Sequence, residues 1–145
     1  MSQVIPDEYR DLFHKRAYAY LSTLMPDGSP QVTQVWCDLD GELVLVNTVR
    51  GRQKEKNMRR DARVALNITD PDNPYRYLDI RGRVVEMSEE NAEAQIDKLT
   101  QKYLGVEHYP YRAAGDVRVT CKIRAERVLA NNFPHAKWLN GSTRS

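Results

Sequence analysis

The spacing of its turns is what most constrains this chain. Pro26-Asp27-Gly28-Ser29 and Asp40-Gly41 bracket a run of strand length, Gln31 to Asp38. Each turn has its own mechanism. Proline presets φ and glycine accepts positive φ in the first, and Asp-Gly is a hairpin signal in the second. Connections this short join antiparallel strands, because a parallel crossover needs a dozen residues or more. The run before them, Ala17 to Met25, is rich in Tyr, Leu and Thr and reads as a strand. The run after them, Leu43 to Val49, is apolar on both faces at its start. That implies burial on both sides or closure into a barrel.

The pattern continues downstream. Gly51 ends the third strand, Gln53 to Arg60 reads as a short basic helix, and Val64 to Ile68 as a fourth strand. Asp70-Pro71-Asp72-Asn73-Pro74 is the clearest loop. Tyr75 to Met87 is a long strand in which Gly82 marks a bend or bulge. Ser88 is placed to cap a helix in which Ala92, Ile96, Leu99 and Tyr103 recur at helical spacing, and Gly105 ends it. Val117 to Leu129 is the last strand, with Val117, Val119, Cys121 and Ile123 alternating. Near the N-terminus, Pro6-Asp7-Glu8 opens a short helix. The expected fold is mainly β (α+β): a barrel of about six antiparallel strands with short helices packed outside. It forms one domain over 1–145, with a core at about 10–130 and a C-terminal tail at 131–145 that carries Phe133, Pro134 and Trp138. A parallel nucleotide-binding sheet is excluded, because β-α-β alternation and a G-x-G-x-x-G turn are both missing.

Composition narrows the function classes. Hydrophobic residues at 41% of 145 suffice for a modest core. The apolar runs are too short for a membrane span and the N-terminus lacks a secretory pattern. Cys37 and Cys121 cannot make a disulfide framework and read as small core residues. Together these point to the cytoplasm. His14, His108 and His135 have no metal-ligand spacing, so no metal is expected. The formal net charge of +2 argues against general nucleic-acid binding. Yet Arg50 to Arg63 holds seven basic residues against two acidic ones, a local charge of +5. Within it, Asn47-Thr48-Val49-Arg50-Gly51-Arg52-Gln53-Lys54-Glu55-Lys56-Asn57 joins a strand end, a glycine and a cationic helix start, the components of an anion site. The same residues also suit a solvated basic helix. Trp36 could wall a pocket beside Gln34 and Val35, although from composition alone it reads as a barrel residue. No nucleophile, acid/base pair or triad is evident, so an enzyme of this sequence needs a cofactor to do the chemistry.

The stretches LSTLMPDGSPQVTQVW, VNTVRGRQKEKNMRRDARVAL, DPDNPYRYLDIRGRVVE and KYLGVEHYP together resemble the split-β-barrel flavin and deazaflavin oxidoreductases, the superfamily that includes pyridoxamine 5′-phosphate oxidase. The closer likeness is to its branch of small proteins that use coenzyme F420. The resemblance implies an FMN-binding-type split barrel and a homodimer with cofactor sites at the subunit interface. It assigns the cofactor phosphate to Arg52, Lys54 and Asn57, with Asn47, Thr48 and Gly51 beside them. It sets Gln34, Val35 and Trp36 along the cofactor ring, and has the partner close the site through the Pro74-Tyr75-Arg76-Tyr77 region. Tyr77 is the residue carried over from that region.

The expected function is therefore an F420-dependent oxidoreductase, passing a hydride to an electron-poor double bond of a small acceptor such as an enone, a quinone or a biliverdin-like tetrapyrrole. FMN is the alternative cofactor, since it also carries a phosphate that Arg52 and Lys54 would hold. A reading of another class is a cofactor-binding or carrier protein without turnover. The catalytic residues are not legible.

Overall fold

The computed structural model describes residues 2–132; the tail positions Phe133, Pro134, His135 and Trp138 lie outside the described residues. A 3₁₀ helix, Asp7–Phe13, precedes strands β1 (Ala19–Leu24), β2 (Pro30–Val35), β3 (Cys37–Asp40) and β4 (Leu43–Val49). Helix α1 (Gln53–Arg60) then leads to β5 (Arg63–Asp70) and β6 (Asn73–Ser88), and helix α2 (Ala92–Leu104) to β7 (Arg118–Asn132). All pairings are antiparallel, in the order β2-β1-β5-β6-β7-β4-β3.

That order explains how the sheet becomes a split barrel. β2 and β3 are separated only by Trp36, yet they occupy opposite edges of the sheet. Val35 pairs with Ala19 of β1, and Cys37 pairs with Val46 of β4. One bent strand thus changes partner at Trp36 and closes the sheet on itself, which removes free edges from the middle of the molecule. The expected single strand Gln31 to Asp38 is therefore two ladder segments, and the count becomes seven. Periodicity continues smoothly through the bend, so it cannot reveal the change of partner.

The barrel interior is filled by alternating inward residues, among them Leu21, Leu66, Ile68, Leu78, Ile80, Val44, Val46 and Ile123. Leu12 and Phe13 of the 3₁₀ helix plug one end. Both cysteines are buried, and burial pushes the Cys37 thiol up to about 11. Helix α2 contributes a second, smaller cluster of Ile96, Leu99 and Tyr103, against which Trp36 and Tyr109 pack. Tyr103 locks this helix to the barrel closure. Its hydroxyl donates to the Ala17 carbonyl at 2.6 Å and accepts from the Cys37 N–H at 3.2 Å. Its ring stacks on Trp36 with centroids 5.2 Å apart and planes 5° from parallel.

Two local expectations are corrected. Ser88 does not cap α2; its hydroxyl accepts from the Glu90 N–H in the preceding turn, and left-handed Asn91 precedes the helix. The Asp70–Pro74 loop is a tight turn, with Asn73 and Pro74 already in β6. It is held because buried Asp70 meets Lys15 at 3.1 Å and Arg76 at 2.8 Å. Gly82 does mark a bulge. The β6–β7 register shifts beside it, and a Cβ built there would stand 2.5 Å from the Arg124 carbonyl oxygen. Gly82→Ala is expected to destabilise the fold by about 1–3 kcal/mol, the usual cost of overpacking. Urea unfolding that matches the wild type would remove the close approach as the reason for glycine here.

Candidate functional site

β4 ends at Val49, and Gly51 turns the chain with φ of 95°. A side chain rarely tolerates that conformation. The Arg52 N–H returns to the Val49 carbonyl at 3.1 Å, and α1 begins at Gln53. Glu55, third in the helix, reaches back to accept the Gly51 N–H at 2.8 Å and holds Arg59 at 2.5 Å. This is half of a capping box, and it fixes the turn that presents Arg52 and Lys54. Burial alone would raise the Glu55 pKa, but the Gly51 N–H and the Arg59 guanidinium outweigh it and hold the carboxyl below its ordinary value.

Arg52 and Lys54 line a cavity of about 160 Å³ between the barrel and α2. Gln34, Val35 and Trp36 form another wall, and Asn47 enters from β4. Six of the residues singled out from sequence therefore meet in one place. Thr48 is buried beside the site and does not line it, and Gly51 contributes only the turn. Asn57 points into the protein. Its Nδ2 donates to Thr23 Oγ1 at 3.0 Å and its Oδ1 accepts from Gln53 at 2.9 Å, bonds that help seat α1 on β1. Tyr77 sits in β6 opposite Thr69 and Asn131, outside this cavity.

Sequence reasoning missed Tyr18, Ile96, Leu99, Tyr109 and Arg118, which complete the lining. Arg118 is the most informative of them. It is only 5% exposed, at the start of β7 opposite Val49. Its Nη1 donates to Asn47 Oδ1 at 3.3 Å, and its guanidinium lies over the Tyr109 ring at 4.5 Å. Asn47 is itself held by α2, donating to the Ala92 carbonyl at 2.9 Å and to Gln95 Oε1 at 2.7 Å. The Arg118 Nη2 is buried without a hydrogen-bond partner, and among the described residues no carboxylate pairs with Arg118. An unpaired buried donor of this kind costs about 1–3 kcal/mol.

The cavity thus carries three cations and, among the described residues, no carboxylate in its lining. Burial, and then the neighbouring Arg52, lower the Lys54 pKa. A bound anion would offset both effects by favouring the charged form. The remaining wall of Trp36, Tyr109, Ile96 and Leu99 is aromatic and aliphatic, with the Trp36 and Tyr109 rings edge to face at 81°, and suits the apolar body of a heterocyclic ligand.

Residues 5–132 match the profile of a family described as pyridoxamine 5′-phosphate oxidase. A solved structure named F420 reductase is 35% identical with a TM-score of 0.77, the match covering 86% of this chain and 98% of that one. A conserved hypothetical protein of Mycobacterium tuberculosis is 24% identical with a TM-score of 0.72, covering 99% and 92% of the two chains. A Listeria innocua protein described as a candidate pyridoxamine 5′-phosphate oxidase is 18% identical with a TM-score of 0.66, covering 86% and 95%. The last two share the fold. No curated relative matches the chain.

Glu55→Gln keeps the size of the side chain but loses its charge toward Arg59. Because the folded-state pKa is depressed, the stabilisation is present above the unfolded value of 4.5 and is lost as pH falls through the folded value. The stability gap between wild type and Glu55→Gln, about 1–2 kcal/mol near neutral pH, is expected to close in acid. Urea midpoints compared at neutral pH and well below 4.5 measure it. A gap that stays constant would remove the charge as its cause.

Proposed function

The chain belongs to the pyridoxamine 5′-phosphate oxidase family, and from that premise we propose that it is an F420-dependent oxidoreductase acting on a small organic acceptor with an electron-poor double bond. The observation that carries this reading is the meeting of Arg52 and Lys54 with the aromatic and aliphatic wall of Trp36, Tyr109, Ile96 and Leu99 in one cavity. A planar heterocycle that bears a phosphate on its side chain fits those residues, with the phosphate on the cations and the ring toward Gln34, Val35 and Trp36. The 35% identity to a structure named F420 reductase supports the deazaflavin over other flavins. When bound, the reduced deazaflavin supplies the hydride. The chain's own residues bind, orient and keep water out. Arg52 and Lys54 hold the anion, Glu55 and Asn57 keep those cations in place, and the stacked pair Trp36 and Tyr103 makes a rigid wall. An FMN-dependent enzyme is the second reading, favoured by the family profile; the two cations hold either phosphate and do not discriminate.

The reading includes a second copy of the chain. Tyr18 and Gln34 line the cavity. Across the sheet, Gln34, Tyr20, Asn67, Asp79 and Leu129 form one cross-strand row, with Tyr77 in β6 beside it. Tyr18, Tyr20, Val32 and Leu129 are all large and exposed on this part of the barrel. A partner seated there would border the cavity, cover these side chains and bring its own copy of this face, Tyr77 included, toward the site.

Titration with coenzyme F420 and with FMN, followed by cofactor fluorescence, tests the cofactor. F420 is expected to bind more tightly, and Lys54→Ala to weaken it by about 1–3 kcal/mol, the scale of a charge-assisted contact. The protonated lysine is the binding form, so affinity falls as pH rises through its lowered pKa, at a pH below the ordinary 10.5. Lys54→Ala lacks that alkaline limb. Unchanged affinity in the variant would sink the phosphate assignment, and binding with no reduction of any enone, quinone or tetrapyrrole would make the protein a carrier.

Sedimentation tests the partner. The wild type is expected to run as a dimer and Val32→Asp as a monomer with weaker cofactor binding. A monomeric wild type would remove the shared site.

A further inference from the structure

Three charged side chains among the described residues are more than nine-tenths buried: Glu55, Asp70 and Arg118. Glu55 is paired with Arg59, and Asp70 with Lys15 and Arg76. Arg118 alone has no opposite charge paired with it among the described residues. Its two contacts, the Asn47 amide oxygen and the Tyr109 ring, are neutral and fix its orientation while leaving its charge uncompensated. A buried charge kept without a partner is costly to the fold. Arg118 also enters the cavity from a different element than Arg52 and Lys54, which come from the start of α1. A guanidinium offers a planar pair of donors that matches a carboxylate, and Tyr109, Ile96 and Leu99 give the same cavity apolar surface.

We propose that Arg118 holds a carboxylate of the acceptor, so that the site selects planar conjugated acids over their neutral analogues. This rests on the oxidoreductase reading for the word acceptor, but the binding step needs no turnover. The anion on Arg52 and Lys54 and the carboxylate on Arg118 then occupy two separate subsites of one cavity, and each relieves a charge that the fold leaves open.

Calorimetric titration with trans-cinnamate and trans-cinnamamide tests it on the whole chain. Cinnamate is expected to bind at least about tenfold more tightly than the amide, a factor equal to about 1.4 kcal/mol. Arg118→Met removes the charge and keeps the bulk. It is expected to bring the two ligands within about twofold, to leave F420 or FMN affinity unchanged, and to melt at or above the wild-type temperature, because an uncompensated buried charge is gone. Lys54→Ala is expected to retain the preference for the acid. Equal binding of acid and amide to the wild type would overturn the proposal. So would a preference that survives Arg118→Met or vanishes in Lys54→Ala. Loss of cofactor binding in Arg118→Met would reassign the arginine to the cofactor, and a lowered melting temperature would make it a structural residue; both overturn the proposal. If neither cofactor binds the wild type while the acid preference still follows Arg118, the oxidoreductase reading falls and the carboxylate subsite stands.

Discussion

A single buried hydroxyl stands where the barrel closes. Tyr103 Oη accepts the Cys37 N–H and donates to the Ala17 carbonyl, joining the start of β3 to the segment that enters β1. Lys102 next to it donates to the carbonyls of Phe13 and Cys37, at 2.7 and 2.5 Å. The Cys37 groups lie at the bend where β2 gives way to β3, and the Phe13 and Ala17 carbonyls lie before β1, outside the strand ladders. Left unpaired, each would cost as much as a lost hydrogen bond. The last turn of α2 supplies the bonds instead, and the helix is thereby held against the barrel.

The site follows from that junction. Trp36 is the residue at the bend, and its ring lies flat on Tyr103. Docking α2 brings Ile96 and Leu99 under the cavity and holds Asn47 through Ala92 and Gln95. Asn47 in turn orients Arg118. The apolar wall and the buried guanidinium are thus two consequences of one helix packing on one bent strand.

Electrostatics separates two kinds of charge in this chain, paired and unpaired. The cluster of Asp11, Lys15, Asp70 and Arg76, and the Glu55–Arg59 pair, are closed networks that fasten the 3₁₀ helix to the β5–β6 turn and α1 to the Gly51 turn. The cavity breaks that rule, since Arg52, Lys54 and Arg118 line it with no acid among them. Departures of this kind from internal consistency are expected where a protein binds something else.

Much that depends on a few neighbouring residues was legible in the sequence, although the start of α2 and the tightness of the Asp70 turn were not. The Asp40-Gly41 hairpin, the bounds of α1, the end of α2 at Gly105, the bulge at Gly82 and the approach of Arg52 and Lys54 to a common turn all follow from backbone preferences and short-range periodicity. The resemblance added Gln34, Val35 and Trp36 to that turn. Tertiary structure decided the rest. Asn57 reads as one more polar residue on a basic helix, yet the seat of that helix on β1 turns it toward Thr23. Arg118 opens a strand whose next residues alternate inward, and nothing local marks it as buried. Tyr109 lies in a loop, and Ile96 and Leu99 look like any apolar helical stripe. Their meeting depends on residues 34–36, 47–54, 96–99, 109 and 118 converging at the barrel closure. Local sequence sets which conformations each segment prefers, whereas contacts between segments so far apart are chosen only by which surfaces can be buried together.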